Sequence, residues 1–270
     1  MLCPAVARFR IASFNVNGLR SIAGKGLHRW LERCDADVVA LQETRARPDQ
    51  LSADLLAPAG YPFAHFVAAE RPGYSGVGLY CRRPFDAIET SVGVRSFDAE
   101  GRVQLARFGR LTVANVYFPN GSGTDRQNDR VPFKLRFYRR LFRVLDARRA
   151  AGERVIVVGD FNTAPHEIDL ARPKDNAKTS GFLPEERKEV QRWLKSGYHD
   201  AFRELCAEPG QYTWWSQRFG VRARNVGWRI DLALLCAHTR PHLVACTHQP
   251  EILGSDHCPV VVDLDDSALE

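Results

Sequence analysis

Short apolar runs of β character, each ending in a carboxylate or a carboxamide, recur from one end of this chain to the other. Arg10 to Phe14 leads into Asn15 and Asn17, and Asp37 to Leu41 into Gln42 and Glu43. Arg154 to Val158 leads into Asp160 and Asn162, while Gly254-Ser255 leads into Asp256-His257 just before Pro259 to Val262. A chain so patterned folds around sheets whose strand ends collect acidic and amide oxygens on one rim. Crowded carboxylates repel unless a cation lies between them, so the pattern points to a hard-metal site for phosphodiester chemistry.

Strand-like segments are expected at Phe9–Val16, Asp37–Gln42, Gly76–Cys81, Leu111–Phe118, Arg154–Asp160, Trp228–Leu235, Leu243–Thr247 and Pro259–Leu264. Val103–Phe108 pairs with Leu111–Val116 as a hairpin turning at Gly109-Arg110. Helical spacing of apolar residues appears at Leu27–Cys34, Phe133–Ala151 and Glu185–Ser196. Many strands and few helices favour two facing mixed β-sheets flanked by helices, a four-layered α/β sandwich, over one doubly wound parallel sheet. No linker or repeat interrupts the chain, and the candidate site residues span it, so residues 1–270 are expected to form one catalytic domain.

With 38 Lys and Arg against 32 Asp and Glu the net charge is +6, and acids committed to a site leave the outer surface more basic than that figure. A polyanionic partner is consistent with it, as is an ordinary basic protein. Seven cysteines, without a Cys-x-x-Cys pair, make no disulfide framework and suit a reducing compartment. Leu2–Ala7 is too short for the apolar region of a signal peptide, and no run is long enough to span a bilayer, so a cytoplasmic protein is expected.

Asp160 and Asn162 should project the same way from an extended end, one to handle a proton and the other to donate a hydrogen bond. Alone, that pair reads more readily as solvated strand-end polarity than as catalytic, and Glu43 as a capping or surface acid. Its proximity to the other strand ends makes Glu43 a Mg²⁺ ligand candidate. His257 can orient water or stabilise phosphoryl charge if a carboxylate fixes its tautomer, and Asp231 is the candidate, against a plain buried polar turn. Tyr117 ends a β run before Pro119-Asn120-Gly121 and can donate to a non-bridging oxygen, although core packing is the commoner fate of a tyrosine. Cys236, His238, His242, Cys246 and His248 lack the spacing of a zinc module and read as loop histidines and core cysteines. Basic residues from Arg126 through Lys134, Arg136, Arg139, Arg140 and Arg143 to Arg149 read as a solvated helix face able to track phosphates. Arg218, Arg222, Arg224 and Arg229 beside Trp214, Trp215 and Trp228 suggest a surface that holds an extruded nucleotide or sugar.

The motifs SFNVNGLR (Ser13–Arg20), LQET (Leu41–Thr44), GYSGVG (Gly73–Gly78), YFPN (Tyr117–Asn120), GDFN (Gly159–Asn162), EIDL (Glu167–Leu170), SGFLPEER (Ser180–Arg187), NVGWRID (Asn225–Asp231) and SDHCP (Ser255–Pro259) run through the chain in order. Together they resemble the exonuclease III family of apurinic/apyrimidinic endonucleases, within the endonuclease/exonuclease/phosphatase superfamily. GDFN and SDH mark the superfamily; GFLPEER and NVGWRID narrow the resemblance to DNA repair.

The resemblance implies a Mg²⁺-dependent nuclease, with Mn²⁺ as an alternative ion, that cuts 5′ to abasic sites and trims 3′ ends. Its metal ligands would be Glu43 first, with Asn15, Asn17, Asp160, Asn162, Asp256 and His257 around it; Asn17 stands where many relatives carry aspartate. Tyr117, Asp160, Asn162, Asp231 and His257 would be catalytic, with either Asp160 or His257 as the base. Arg20, Tyr74, Asn120, Asn176, Thr179, Trp214, Arg224, Trp228 and Ile230 would meet DNA, the last apolar three around a flipped abasic sugar, and Thr179 replacing an asparagine found in some relatives. The partner would be duplex DNA with an abasic site or damaged 3′ end, bound by a monomer in the cytoplasm and associated with the nucleoid. Two other readings are a phosphodiesterase or phosphatase for lipid or small phosphorylated substrates, and a DNA-binding module without turnover.

Overall fold

Each of the two sheets is built around one parallel pair of strands, and that pairing sets where the strand ends fall. The computed structural model describes residues 8–123, 127–218 and 220–270; Leu2–Ala7 and Arg126 lie outside them. The strands are β1 (Arg8–Asn15), β2 (Val38–Gln42), β3 (Phe63–Val67), β4 (Val77–Cys81), β5 (Ala87–Glu89), β6 (Val103–Phe108), β7 (Leu111–Tyr117), β8 (Arg154–Asp160), β9 (Tyr198–Asp200), β10 (Asp231–Cys236), β11 (Leu243–His248) and β12 (Val260–Asp265). The helices are α1 (Leu19–Ala23), α2 (Leu27–Cys34), α3 (Ala53–Leu56), α4 (Arg95–Asp98), α5 (Val131–Ala150), α6 (Pro184–Lys195) and α7 (Ala201–Leu205).

One sheet runs β11-β12-β1-β2-β4-β3 and the other β5-β6-β7-β8-β10-β9. In the first, β1 and β2 are parallel and set Asn15 opposite Gln42. In the second, β7 and β8 are parallel and set Tyr117 opposite Asp160, while antiparallel β10 brings Asp231 to the other side of Asp160. Polar residues remote in sequence are therefore neighbours by register alone.

Both faces of the central strands are covered, which is why β2, β4 and β7 are buried along their whole length and read as continuous apolar runs. Ile11, Val38, Val113, Ile156 and Val262 pack between the sheets. Phe14, Leu31 and Tyr80 lie under α1 to α3, while Phe118, Phe137, Leu141 and Trp193 lie under α5 and α6. The result is the four-layered sandwich, helices outside and sheets inside. A polar thread also crosses the interior: Gln42 donates to Ser13 Oγ and Asn115 Oδ1, and Asn115 donates to Gln104 Oε1. Each buried amide has partners, so the thread fixes the register between sheets without leaving the amide nitrogens unsatisfied.

Helix α5 starts at Val131 with Pro132 in its first turn, where a missing N–H has no helical partner to lose. Its buried face is Val131, Lys134, Phe137, Tyr138, Leu141 and Leu145, spaced three and four apart. Lys134 thus leaves the solvated basic face expected for it: it is wholly buried and paired with Glu186. Arg136, Arg139 and Arg143 are exposed as expected. The expected strand at Trp228 begins three residues later, at Asp231, because Trp228 makes isolated bridges to Leu170 and Trp214 instead. Among the described residues no helix is long and apolar enough to cross a membrane.

Candidate active site

Three strand ends reach the site by the same local device. Immediately after β1, β2 and β8 the backbone turns into the left-handed region at Asn17 (φ 48°), Glu43 (φ 54°) and Asn162 (φ 49°). Asparagine tolerates that conformation and glutamate adopts it only when its surroundings enforce it, and it turns each chain sharply off its sheet. Gly159 allows the close approach of β8 to β7: at φ 141°, a Cβ there would meet Val116 O at 1.9 Å.

Glu43, Asp160 and His257 come together at this rim, with ligand atoms all within 4.8 Å of one another. Asn15, fully buried, donates from Nδ2 to Glu43 Oε1 (3.0 Å) and to Asp160 Oδ2 (2.9 Å), so it holds the two carboxylates at a common point. Asp160 also accepts from the Asn162 backbone N–H (2.7 Å) and from Asn162 Nδ2 (3.2 Å). Asn120 in turn donates to Asn162 Oδ1 at 3.1 Å. Burial, with Asp231 and Glu43 nearby and His257 opposing, pushes the Asp160 carboxyl up to about 7.

His257 Nδ1 lies 2.8 Å from Asp231 Oδ2, and Nε2 lies 3.9 Å from Asp160 Oδ2. Burial works against the imidazolium, but Asp231, Asp160 and Asp256 outweigh it and raise the group to about 10. The ring is thereby oriented: Nδ1–H faces Asp231 and Nε2–H faces the site. The Tyr117 phenol is held well above its usual range by burial and by Glu43 and Asp160, with Arg102 acting the other way. It is a proton donor at neutral pH.

The donor set fits a hard divalent cation. Carboxylate oxygens of the partly buried Glu43 and the buried Asp160 converge here, with Arg45, exposed, paired with Glu43 Oε2 and His257 3.9 Å from Asp160 Oδ2. Beside this cluster Asn17 Nδ2 donates to Asp256 Oδ1 at 2.6 Å, and Trp214 Nε1 donates to Asp256 Oδ2 at 3.1 Å. Trp214 belongs to an apolar group with Trp228, Ile230, Phe182, Leu170 and Ala164, and it bridges to His257. Gly181, at φ 96°, lies under Trp228, where a Cβ would sit 3.2 Å from the indole. An apolar cluster thus adjoins the carboxylates.

A model of the Endonuclease/Exonuclease/phosphatase family matches residues 12–257, the span that holds every group just described. The chain belongs to this family. It is 35% identical over 261 residues to a DNA-(apurinic or apyrimidinic site) endonuclease of Dictyostelium discoideum, covering 95% of this chain and 71% of that one. It is 34% identical over 256 residues to an exodeoxyribonuclease of Bacillus subtilis, covering 93% of this chain and 97% of that one. Among solved structures it superposes on an AP endonuclease from Archaeoglobus fulgidus with a TM-score of 0.84, at 25% identity over 95% of this chain and 99% of that one. A 3′ phosphatase from Neisseria bound to a product DNA hairpin matches with a TM-score of 0.85, at 26% identity over 95% of this chain and 99% of that one.

Within this family member the other sequence-predicted residues are distributed unevenly. Arg20, Asn120, Thr179 and Arg224 are exposed, and Tyr74 and Asn176 are half-buried. The Asn176 amide donates to Arg172 O (2.8 Å), tying it to its own turn. Two of the four arginines expected to meet a nucleotide do not face outward. Arg229 is wholly buried between Asp169 and Asp200, each with an oxygen at 2.7 Å, and Arg222 donates to the carbonyls of Ser255, Pro250 and Ile252. They hold the segments carrying Asp231 and His257 rather than a ligand. The histidines and cysteines between residues 236 and 248 do not converge: His242 pairs with Asp265, and His248 stacks on Phe202. Sequence reasoning missed Arg45, Arg102 and the Lys134–Glu186 pair, whose partners cannot be told from residue type alone.

Proposed function

We propose that this chain hydrolyses the phosphodiester 5′ to abasic sites in duplex DNA, leaving a 3′-hydroxyl, and also trims damaged 3′ ends. The observation that carries this reading is the convergence of Glu43, Asp160 and the Asp231-held His257 beside the apolar cluster of Trp214, Trp228 and Ile230. The similarity to an AP endonuclease and to an exodeoxyribonuclease supports both activities. Mg²⁺ is the cation proposed, with Mn²⁺ able to replace it, held by the carboxylates of Glu43 and Asp160, with Asn15, Asn17, Asn162, Asp256 and His257 around them. When bound, it supplies Lewis-acid charge to a phosphoryl oxygen.

The side chains divide the remaining work. Asp160, oriented by Asn15 and Asn162 and raised by burial, takes the proton of the attacking water. His257, kept as imidazolium by Asp231, and the protonated Tyr117 phenol donate to the phosphoryl oxygens as charge develops, with Asn162 beside them. Trp214, Trp228 and Ile230 receive an extruded sugar that lacks a base; a nucleotide without pairing costs least to extrude, which favours the abasic site. Arg20, Tyr74, Asn120, Asn176, Thr179 and Arg224 contact the flanking strands. Site residues from Asn15 to His257 make one catalytic domain of the chain, acting as a monomer on DNA in the cytoplasm and its nucleoid.

The test is cleavage of a labelled duplex carrying one tetrahydrofuran abasic analogue, in Mg²⁺ and in EDTA, beside an undamaged duplex with a recessed 3′ end. A metal-dependent nick at the analogue is expected, reduced at least about 100-fold by Glu43→Gln or Asp160→Asn. Full nicking by either variant would refute the site assignment. Turnover only on phosphoinositide or inositol-phosphate substrates would refute the DNA reading.

A further inference from the structure

Tyr74, on the turn before β4, and Tyr117, at the end of β7, share one buried arginine. Arg102 is 2% exposed, and its guanidinium carbon sits 4.5 Å from the Tyr117 ring centroid and 5.4 Å from that of Tyr74. Its Nη1 donates to the Tyr117 carbonyl at 3.0 Å, Nη2 to the Tyr74 hydroxyl oxygen at 2.8 Å, and Nε to Glu100 Oε2 at 2.6 Å. With all three nitrogens engaged, Arg102 is fixed inside the fold and does not itself reach a ligand. Arg130 completes the frame, donating to both Glu100 oxygens at 2.8 and 3.0 Å and to the Tyr74 hydroxyl at 3.2 Å. The Tyr74 oxygen therefore accepts from two guanidinium groups, and its own proton is left to be donated elsewhere. A buried guanidinium is tolerated only when fully paired, and this one is paired to both tyrosines at once.

We propose that Arg102 is a positioning residue that couples Tyr74 to Tyr117, so that a strand phosphate engaged by the Tyr74 hydroxyl fixes the Tyr117 phenol against the phosphate to be cleaved. The proposal rests on the reading of the protein as a DNA phosphodiesterase. It depends on the planar fork of arginine, which reaches a carbonyl and a hydroxyl in two directions. Lysine keeps the charge but concentrates its donors on a single nitrogen, which lacks the reach of the fork in two directions.

The experiment compares Tyr74→Phe in the native and Arg102→Lys backgrounds, with and without DNA. In the DNA-free protein labelled with 3-fluorotyrosine, the ¹⁹F resonance of Tyr117, assigned by its loss in Tyr117→Phe, should move on Tyr74→Phe in the native background and stay in place in Arg102→Lys. On abasic duplex at saturation, Tyr74→Phe should slow single-turnover cleavage roughly tenfold in the native background and less than about twofold in Arg102→Lys, the non-additivity of coupled sites. Equal movement of the resonance in both backgrounds, or additive rate losses, overturns the coupling. If the native protein leaves abasic duplex uncut, the proposed function fails while the resonance still decides the coupling. Should Arg102→Lys not fold, Arg130→Gln loosens the same hydroxyl from a side chain that is 33% exposed; the Tyr117 resonance must then move, and a still resonance overturns the proposal.

Discussion

Replacing Lys134 with methionine tests how a buried ion pair supports the site from beneath. Lys134 Nζ lies 2.7 Å from Glu186 Oε1 and 2.6 Å from the carbonyl of Asn162, and both side chains are 0% exposed. Glu186 also accepts from Ser180 Oγ (2.9 Å) and from the backbone N–H groups of Gly181 (2.6 Å) and Leu183 (3.2 Å), so it anchors the turn beneath Trp228. Unit charges at this separation attract by about 6 kcal/mol at an effective dielectric of about 20, and deleting one partner of such a pair costs about 3–5 kcal/mol. A second route bounds the loss. The stranded carboxylate can take up a proton instead, at about 1.4 kcal/mol for each pH unit above about 4.3, which is about 4 kcal/mol at pH 7.5 and about 2 kcal/mol at pH 5.5. The two estimates agree near 4 kcal/mol at the higher pH, a fall in Tm of about 7 °C for a chain of this size. Urea unfolding followed by tryptophan fluorescence at both pH values is the assay. The loss should shrink as pH falls, because the folded variant then gains its proton at less cost, and Glu186→Gln in the same chain should recover at least about half of it. A loss below about 1.5 kcal/mol at pH 7.5, or one that does not shrink at pH 5.5, would refute the reasoning.

Three further outcomes are expected. Asp231→Asn removes the carboxylate that outweighs burial at His257, so the imidazolium is lost at lower pH and abasic nicking at pH 7.5 should fall by about 10²–10⁴-fold. A pH–rate profile identical to that of the native enzyme would contradict it. His248 has neither ring nitrogen bonded and is pushed down to about 3, chiefly by burial and then by Arg229 and Arg203. Its folded value lies below the unfolded value of about 6.5, so the stability it contributes is complete above that pH and declines as pH falls, by about 2 kcal/mol at pH 5. His248→Phe should flatten Tm between pH 7 and pH 5; an unchanged slope counts against the assignment. Trp228→Ala opens the apolar cluster, and the preference for abasic over intact duplex, measured as a ratio of kcat/KM, should narrow by roughly tenfold; an unchanged ratio would place selectivity elsewhere.

The strands that build the site were legible because they are buried on both faces, which leaves long β-branched runs ending abruptly in polar residues, as at Val155 to Asp160. The short strands β3, β5 and β9 were not: β3 and β5 are partly exposed throughout, and β9 is only three residues long, so none gives a periodic signal. Site residues at strand ends were legible for the same reason as the strands. The left-handed turns at Asn17, Glu43 and Asn162 were not, since each occurs at a residue other than glycine. Charge was the least legible property of all. Lys134 sits among exposed arginines in the sequence and Arg229 sits among tryptophans, yet their partners Glu186 and Asp169 are 52 and 60 residues away. Nothing in local composition separates a cation that will be paired inside from one that will face a ligand. The same burial that hides them bears on the net charge of +6. Lys134 brings one carboxylate inside with it and Arg229 brings two, Asp169 and Asp200, while Arg102 is paired with the partly buried Glu100, so burial of these cations takes no positive charge out of the balance. Asp160 and Asp231 are buried at the site and, among the described residues, face His257 with no lysine or arginine paired to them. The positive excess is therefore carried by the outer surface, where a polyanion would meet it.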